Sequence, residues 1–377
     1  MKRWIRGSWL LVFAFACGED DPVQLDEPIE VLTYNVGLAA GNVPMVDLRS
    51  VPVTDALVAD SADVLCVQEL WNDNDYAYLA GLDAFAHTQR LPANDEEGVA
   101  CIPGELDPLA ACVEAMCPTA QGDALGICAT NDCGEPFGAL APGCLGCASE
   151  VVMGSATSSP MDVRSECEGT EGSRYIYGGT YDVAILSRLP VTAHESLVLD
   201  SYLVTASVEY AQVQTPTGGG VHVFCTHLAS PFRDIPYGGE FGSWESEQQH
   251  QADQLVGFIE ERVASGDHVI VAGDLNTGPM GTGYEAIRES IYRSIVDRAE
   301  LDEGFATSAA ADCTSCLDNT FRLEASRATL VDHVLLGGDL SLISAERTYT
   351  ETVALSDEID SHLSDHYGVR VVVGPGE

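Results

Sequence analysis

The run Val269-Ile270-Val271-Ala272-Gly273-Asp274-Leu275-Asn276-Thr277-Gly278-Pro279 constrains this chain more than any other stretch. A short apolar segment breaks off at a Gly-Asp-x-Asn turn and then at Gly-Pro, the pattern of a buried strand that delivers polar side chains to a sheet edge. Asp274 and Asn276 stand two residues apart, so on extended backbone they project to the same side. An Asp or Asn in a glycine turn commonly caps only its own backbone. What sets this turn apart is that other strand-like runs of the chain also end on a residue suited to metal binding or acid–base chemistry.

The first of these runs is Ile29 to Asn35, IEVLTYN, whose alternation ends on Asn35; the amide either caps a turn before Gly37 or serves a site at the strand end. A helical stretch from about Pro44 to Ser61 leads into Asp63 to Glu69, a continuous apolar run that reads as a buried strand. Glu69 at its end is expensive to bury without a cation or hydrogen-bond partner, which makes it a metal-ligand candidate. A helix is expected from Tyr76 to Phe85, and strands from Tyr181 to Pro190, from Leu197 to Gln214 with a turn inside, and from Val221 to His227. The last places His227 just past the buried part, as a surface cap or a site residue. A helix from about Trp244 to Ala264 carries a core stripe at Ala252, Leu255, Val256, Phe258, Ile259 and Val263, with Gln248 to Gln251 as a solvated or cleft-edge face. Phe232, Tyr237, Phe241 and Trp244 stand among prolines and glycines; they either pack back onto the fold or form an aromatic rim for a lipid headgroup layer or a substrate. Asp332 interrupts the apolar run 329–336 with its neighbour His333 on the opposite face, and Asp365-His366 precedes the closing strand Val369 to Val373. A carboxylate inside a strand needs a partner, and holding one tautomer of a histidine is a common solution.

The chain's 377 residues allow two or three domains or one large sandwich, and a hydrophobic content of 46% suffices for a packed core. The formal charge of −42, with only 17 Lys and Arg, works against polyanionic partners, because non-specific affinity for nucleic acid comes from cationic side chains on phosphates. Residues 1–17 read as an export signal: Lys2, Arg3 and Arg6 precede the apolar stretch Trp9 to Ala16. Ala14-Phe15-Ala16 fits an ordinary cleavage site, while Cys17 directly after it resembles a bacterial lipoprotein box, and the lipid-modified reading is favoured. The mature protein is thus expected at the outer membrane as a lipoprotein or secreted, as a monomer. Residues 18–28 read as a solvated acidic linker. Cys101, Cys112, Cys117, Cys128, Cys133, Cys144, Cys147 and Cys167 crowd the Gly- and Pro-rich stretch 94–179, a disulfide-stapled loop insertion whose pairing the spacing leaves open. Cys144-x-x-Cys147 and Cys313-x-x-Cys316 also have the spacing of zinc half-sites, without histidines at finger distance. Cys66 and Cys225, in apolar strands, read as buried free thiols.

Taken together, LTYN, VQE, VAILSRLPV, CTHL, AGDLN, VDHVLL and LSDHYGV resemble the motifs of the endonuclease/exonuclease/phosphatase superfamily, in that family's order and across nearly all of residues 29–375. The resemblance implies an α/β fold, a four-layered sandwich of two packed mixed sheets flanked by helices, with the site at one end of the sheets. It also implies phosphoester hydrolysis with a divalent cation, usually magnesium. By motif, Glu69 resembles the principal metal ligand with Asn35 beside it, and Asp365 approaches the metal region. His366, paired with Asp332, resembles the histidine near the scissile phosphate and is favoured as general base, with Asp274 as the rival. Asp274 and Asn276 resemble the residues that orient water and stabilise the transition state, and His227 matches the second histidine of the deoxyribonuclease-like and sphingomyelinase-like branches. Two departures stand out: His333 where many members have tyrosine, and Asp182 where many have glycine, a position from which it would influence substrate choice or metal occupancy.

Three readings of function follow. The favoured one is an exported phosphodiesterase acting on a phospholipid headgroup, similar to sphingomyelinases, supported by export, the THL and SDHYGV motifs, the aromatic loop and the acidic composition. The others are an extracellular endonuclease and a surface binding protein that kept the fold without turnover.

Overall fold

The structure, a computed structural model, describes residues 22–40, 42–94, 101–153, 160–169, 175–230, 237–322 and 327–376. Cys17, the export signal and Phe232 lie outside them. In chain order the first elements are β1 (Ile29–Asn35), α1 (Val46–Ala59), β2 (Val64–Gln68), α2 (Asp73–Ala80) and β3 (His87–Gln89). The insertion follows, with α3 (Asp107–Met116), α4 (Asp123–Asp132), α5 (Gly134–Gly138), α6 (Pro142–Met153) and α7 (Pro160–Cys167). The chain then returns to the main body through β4 (Ala184–Ser187), β5 (Val191–Leu199), β6 (Ala206–Gln214), β7 (Gly220–His227), α8 (Trp244–Glu260), β8 (Val269–Asp274) and α9 (Glu289–Arg298). It closes with β9 (Asp332–Gly337), β10 (Leu340–Thr348), the hairpin β11 (Val353–Ser356) and β12 (Ile359–Ser361), and β13 (Gly368–Pro375).

Two mixed sheets form the centre, one in the order β10-β13-β1-β2-β4-β3 and the other β5-β6-β7-β8-β9. Strand alternation decides what each face buries. Val31, Cys66 and Ile185 of the first sheet meet Val223, Cys225, Ile270 and Val334 of the second in the inter-sheet core. The opposite face of the first sheet, with Leu32, Tyr34 and Leu65, packs on Val53 and Leu57 of α1. That of the second, with Phe224, Val271 and Leu335, packs on Leu255, Val256 and Ile259 of α8 and Ile291 and Ile295 of α9. Full burial of each such aliphatic side chain contributes about 1.5–3 kcal/mol, so these three interfaces hold the four layers expected from the motifs.

Several sequence expectations need correction. Cys66 and Cys225 are joined to each other across the two sheets, because both point into the inter-sheet core with Cα atoms 5.4 Å apart. Cys313 pairs with Cys316, while Cys144 and Cys147 pair with Cys101 and Cys167, so the zinc half-site reading falls away. With Cys112–Cys133 and Cys117–Cys128 these bonds staple the insertion, which is helical although its sequence shows no sustained period. Its helices are short and converge on buried disulfides, with Leu109, Val113, Leu125, Phe137 and Leu145 around them. Residues 22–28 are not a solvated linker: Leu25 is buried in the inter-sheet core, its N–H donates to Nδ1 of His268 at 2.8 Å, and the Val23 N–H donates to Asp267 at 2.7 Å. The helix expected from Tyr76 starts at Asp73, because the Asn72 side chain accepts from the Asn74 N–H and two aspartates occupy the first turn. Among the described residues no helix is long and apolar enough to cross a membrane, and the disulfides fit an oxidising compartment.

Candidate active site

Strand register assembles the site. In the parallel pair β1/β2, Asn35 lies opposite Gln68, which leaves Glu69 just beyond the sheet edge. In the parallel pair β7/β8, His227 lies opposite Asp274, and Asp274 in turn faces Asp332 across β8/β9. Asp182 leads into β4 and Asp365-His366 into β13, so all of these side chains emerge at one end of the two sheets. The glycine of the opening run is required by this packing: Gly273 has φ 149°, and a Cβ there would stand 1.9 Å from the Thr226 carbonyl oxygen.

Asn35 braces the two sheets. Its Nδ2 donates to Oε1 of Glu69 at 2.9 Å and to Oδ2 of Asp274 at 3.0 Å, while its Oδ1 accepts from the Gly37 N–H at 3.0 Å. The amide oxygen expected on a metal thus also accepts from the backbone, with its second lone pair left over, while the amide nitrogen bridges the two carboxylates. Glu69 sits in the left-handed region at φ 58°, with Oε2 buried and without a hydrogen-bond partner among the described residues. Burial, reinforced by the nearby Asp365 charge, pushes its carboxyl up to about 7.

Two imidazoles are each held by a carboxylate. Nδ1 of His366 stands 2.8 Å from Oδ2 of Asp332, with Oδ2 of Asp274 at 3.8 Å. Nδ1 of His227 stands 2.5 Å from Oδ2 of Asp182, which also accepts from the Glu69 N–H at 3.0 Å. Nε2 of His227 is 3.1 Å from Nδ2 of Asn276, whose φ of 49° turns it toward the histidine. Burial alone would lower both histidines, but the carboxylates outweigh it: Asp332 and Asp365 push His366, and Asp182 and Asp274 push His227, up to about 10. The ring contacts are different in kind. The guanidinium of Arg322 and the amide nitrogen of Asn276 can only donate, so their approach to Nε2 suits neutral rings. The carboxylates therefore favour the protonated rings and the Nε2 neighbours the neutral ones, so neutralising the carboxylate charges would free the protons. Burial raises the carboxyl of Asp274 as well, together with the charge of Asp332. Burial would raise Asp365 too, but His366, Arg322 and Arg49 bring it below its ordinary range.

Among the described residues the donor set fits a hard divalent cation at Glu69: a buried carboxylate oxygen without a partner, a second carboxylate at Asp365, and no thiolate. Asp274, Asp332 and His366 also place one potential ligand atom each within 4.8 Å of one another. There, however, the Asp332–His366 hydrogen bond already occupies the imidazole Nδ1.

The model of the Endonuclease/Exonuclease/phosphatase family matches residues 32–366. The chain belongs to this family. Enzymes of the Endonuclease/Exonuclease/phosphatase family are in general metal-dependent phosphoesterases and nucleases. Among solved structures, an endonuclease/exonuclease/phosphatase from Beutenbergia cavernae is 14% identical, with 93% of this chain and 72% of that one covered at a TM-score of 0.51. Truncated TDP2 from Caenorhabditis elegans is 13% identical over 92% of this chain and 97% of its own, at 0.52. Beta toxin from Staphylococcus aureus is 13% identical over 91% and 99%, also at 0.52. At such identities the likeness shows the fold. No curated protein matches the chain by sequence.

A cleft of about 580 Å³ opens over the site, reaching Glu69, His227, Asp274, Asn276, Asp365 and His366. Asp182 also lines it, but as the orienting partner of His227. Tyr237, Phe241 and Trp244, expected on substrate, stand elsewhere. Tyr237 and Trp244 pack edge to face at 5.0 Å within the insertion's core cluster, and Phe241 stacks on His250 at 4.5 Å. Their place is taken by Trp71 and Tyr177, stacked at 4.4 Å, with Phe321 beside them and Ile127 and Phe137 supplied by the insertion. Other positioning residues also escaped the sequence reading. Arg49 is fully buried and donates to the carbonyls of Pro44, Val36, Gly37 and Leu363, tying the loop after Asn35 to the loop before Asp365. Its signal was a cation on the stripe Val46, Arg49, Val53, Leu57. Gln248, expected on a wet face, is buried and donates to the carbonyls of Leu275 and Asn276; its spacing to the core residues Ala252 and Leu255 was the clue.

Proposed function

We propose that this chain is an exported, magnesium-dependent phosphodiesterase that acts on a phospholipid headgroup in the manner of a sphingomyelinase C, secreted or tethered through Cys17. The observation that carries the hydrolase reading is the meeting at one cleft of a buried Glu69 oxygen, partnerless among the described residues, and two carboxylate-held imidazoles. With Nδ1–H donated to Asp332, His366 turns Nε2 to the cleft, where it can take a proton from water. His227, fixed by Asp182, and Asn276 lie where a donor can meet charge that develops on a phosphoryl oxygen. Asp274, held by Asn35, is the alternative base. A divalent cation bound at Glu69 and Asp365 supplies neutralisation of the carboxylate field and polarisation of a phosphoryl oxygen.

The lipid reading is supported by the cleft wall of Trp71, Tyr177, Phe321, Ile127 and Phe137, since an apolar and aromatic wall suits a zwitterionic headgroup. A net charge of −42 opposes a polyanion. The test is purified protein with magnesium on sphingomyelin vesicles, plasmid DNA and small phosphoesters. Release of phosphocholine that is abolished by chelator, Glu69→Ala and His366→Ala is expected. DNA cleavage with intact lipid would establish the endonuclease instead, and absence of metal-dependent turnover on every substrate would leave a binding protein.

A further inference from the structure

Residues 312–322 form an irregular segment beside the site that the sequence motifs leave without a role. Two arginines of the described residues line the cleft, Arg322 and Arg327. Arg327 is largely exposed and paired with Glu285 at 3.0 Å. Arg322 is four-fifths buried at the centre of the site, with one terminal nitrogen 3.4 Å from Nε2 of His366 and 3.9 Å from Oδ2 of Asp365. Neither contact consumes the guanidinium: one is long for a hydrogen bond and the other lies at the outer limit of an ion pair. Its Nε is buried without an acceptor among the described residues.

The surroundings hold this side chain in place. The same terminal nitrogen donates to Oγ of Ser315. Ser315 exchanges both backbone hydrogen bonds with Thr329, and the Cys313–Cys316 disulfide closes its turn. The Arg322 N–H donates to the Asn319 carbonyl at 3.1 Å, and Nδ2 of Asn319 donates to the Ser364 carbonyl at 2.9 Å, beside Asp365 and His366. A guanidinium fork with one terminal nitrogen held 3.4 Å from Nε2 of His366, and with donors beyond the one given to Ser315, offers charge and N–H to any anion that the imidazole also touches.

We infer that Arg322 is the anion-binding side chain of this cleft and takes a non-bridging oxygen of the substrate's phosphoryl group. The inference rests on the reading of the cleft as a phosphoester site and adds a residue to it. Substrates bearing an anionic phosphoryl oxygen next to the scissile bond are bound; neutral esters of the same shape are not.

Inorganic phosphate is the probe, titrated calorimetrically into the full chain with magnesium present, for wild type, Arg322→Ala, Arg322→Gln and Arg322→Lys. Wild type binds phosphate, Arg322→Ala and Arg322→Gln weaken it at least tenfold, and Arg322→Lys, which keeps charge but not the fork, falls between. If phosphoesters are turned over, kcat/KM falls about 100-fold in Arg322→Ala, the scale of a lost transition-state donor. Circular dichroism identifies variants that fail to fold, in which case the folded Gln and Lys variants decide. Unchanged phosphate affinity in a folded Ala or Gln variant, or no phosphate binding by wild type, overturns the inference. Arg322-dependent phosphate binding by a chain that hydrolyses nothing upholds it and removes the hydrolase reading alone.

Discussion

Oδ2 of the buried Asp182 stands 2.5 Å from Nδ1 of His227. The carboxylate fixes which ring nitrogen carries the proton and turns Nε2 to Asn276, 3.1 Å away. Asp182→Asn keeps the volume but offers an amide that can present N–H to Nδ1 and favour the opposite tautomer. We expect kcat to fall at least about 100-fold with the fold retained, by analogy with a triad carboxylate that orients its histidine. Steady-state kinetics with circular dichroism measures this, and a fully active Asp182→Asn would remove the orienting role.

Glu69 gives the metal site its pH dependence. With its carboxyl pushed up to about 7 by burial and by Asp365, a cation arriving below that pH must displace a proton. Magnesium or manganese affinity is therefore expected to rise by roughly tenfold per pH unit below pH 6, by about a further tenfold in all between pH 6 and 8, and then to level off. Calorimetric titrations across that range test it. Glu69→Gln should bind weakly with a flat profile; a steep profile in that variant would place the ionisation elsewhere.

His333 makes a stability prediction of opposite sign to that of a paired histidine. Burial holds it neutral and lowers it from 6.5 to about 4, with Nε2–H donated to the Thr277 carbonyl at 2.9 Å and Nδ1 without a partner among the described residues. A folded value below the unfolded one means that the unfolded chain binds the extra proton between those pH values. The contribution is complete above pH 6.5 and is lost as pH falls toward 4, by about 3 kcal/mol. Urea midpoints at pH 7 and pH 4.5 should differ more in wild type than in His333→Gln, which keeps a donor for Thr277 and does not titrate. Equal differences in both would exclude His333 as the source.

The legible part of the site was what lies on strands. A period of two together with a polar residue at the end of an apolar run located Asn35, Glu69, His227, Asp274 and Asp332, because strand register alone carries them to one edge. Arg49, Gln248 and Arg322 were not legible in that way. Their contacts are to backbone carbonyls or to residues brought together only by folding, with separations of 314 residues for Arg49 to Leu363 and 44 for Arg322 to His366. The insertion's helices were hidden for a related reason. Cysteines occupy core positions there, so disulfides replace much of the aliphatic stripe that gives a helix its visible period. Aromatic composition misled in the loop before α8, since a Tyr or Trp among glycines serves a packing cluster as readily as a cleft.

The Cys66–Cys225 bond carries the last prediction. Cys66 lies three residues before Glu69 on one sheet and Cys225 two before His227 on the other, and the bond closes 159 residues of chain. On loop-closure entropy it stabilises the fold by about 5 kcal/mol, against about 3 for Cys117–Cys128, which closes 11. The two bonds also differ in what they restrain. The first fixes the separation of the strand ends that present Glu69 and His227, while the second joins α4 to the end of α3 inside the insertion. Cys66→Ala/Cys225→Ala should therefore lower the urea midpoint more than Cys117→Ala/Cys128→Ala, and should also weaken cation binding at temperatures where both variants remain folded. If the two double variants lose equal stability and bind the cation as wild type does, the cross-sheet bond has no part in holding the site together.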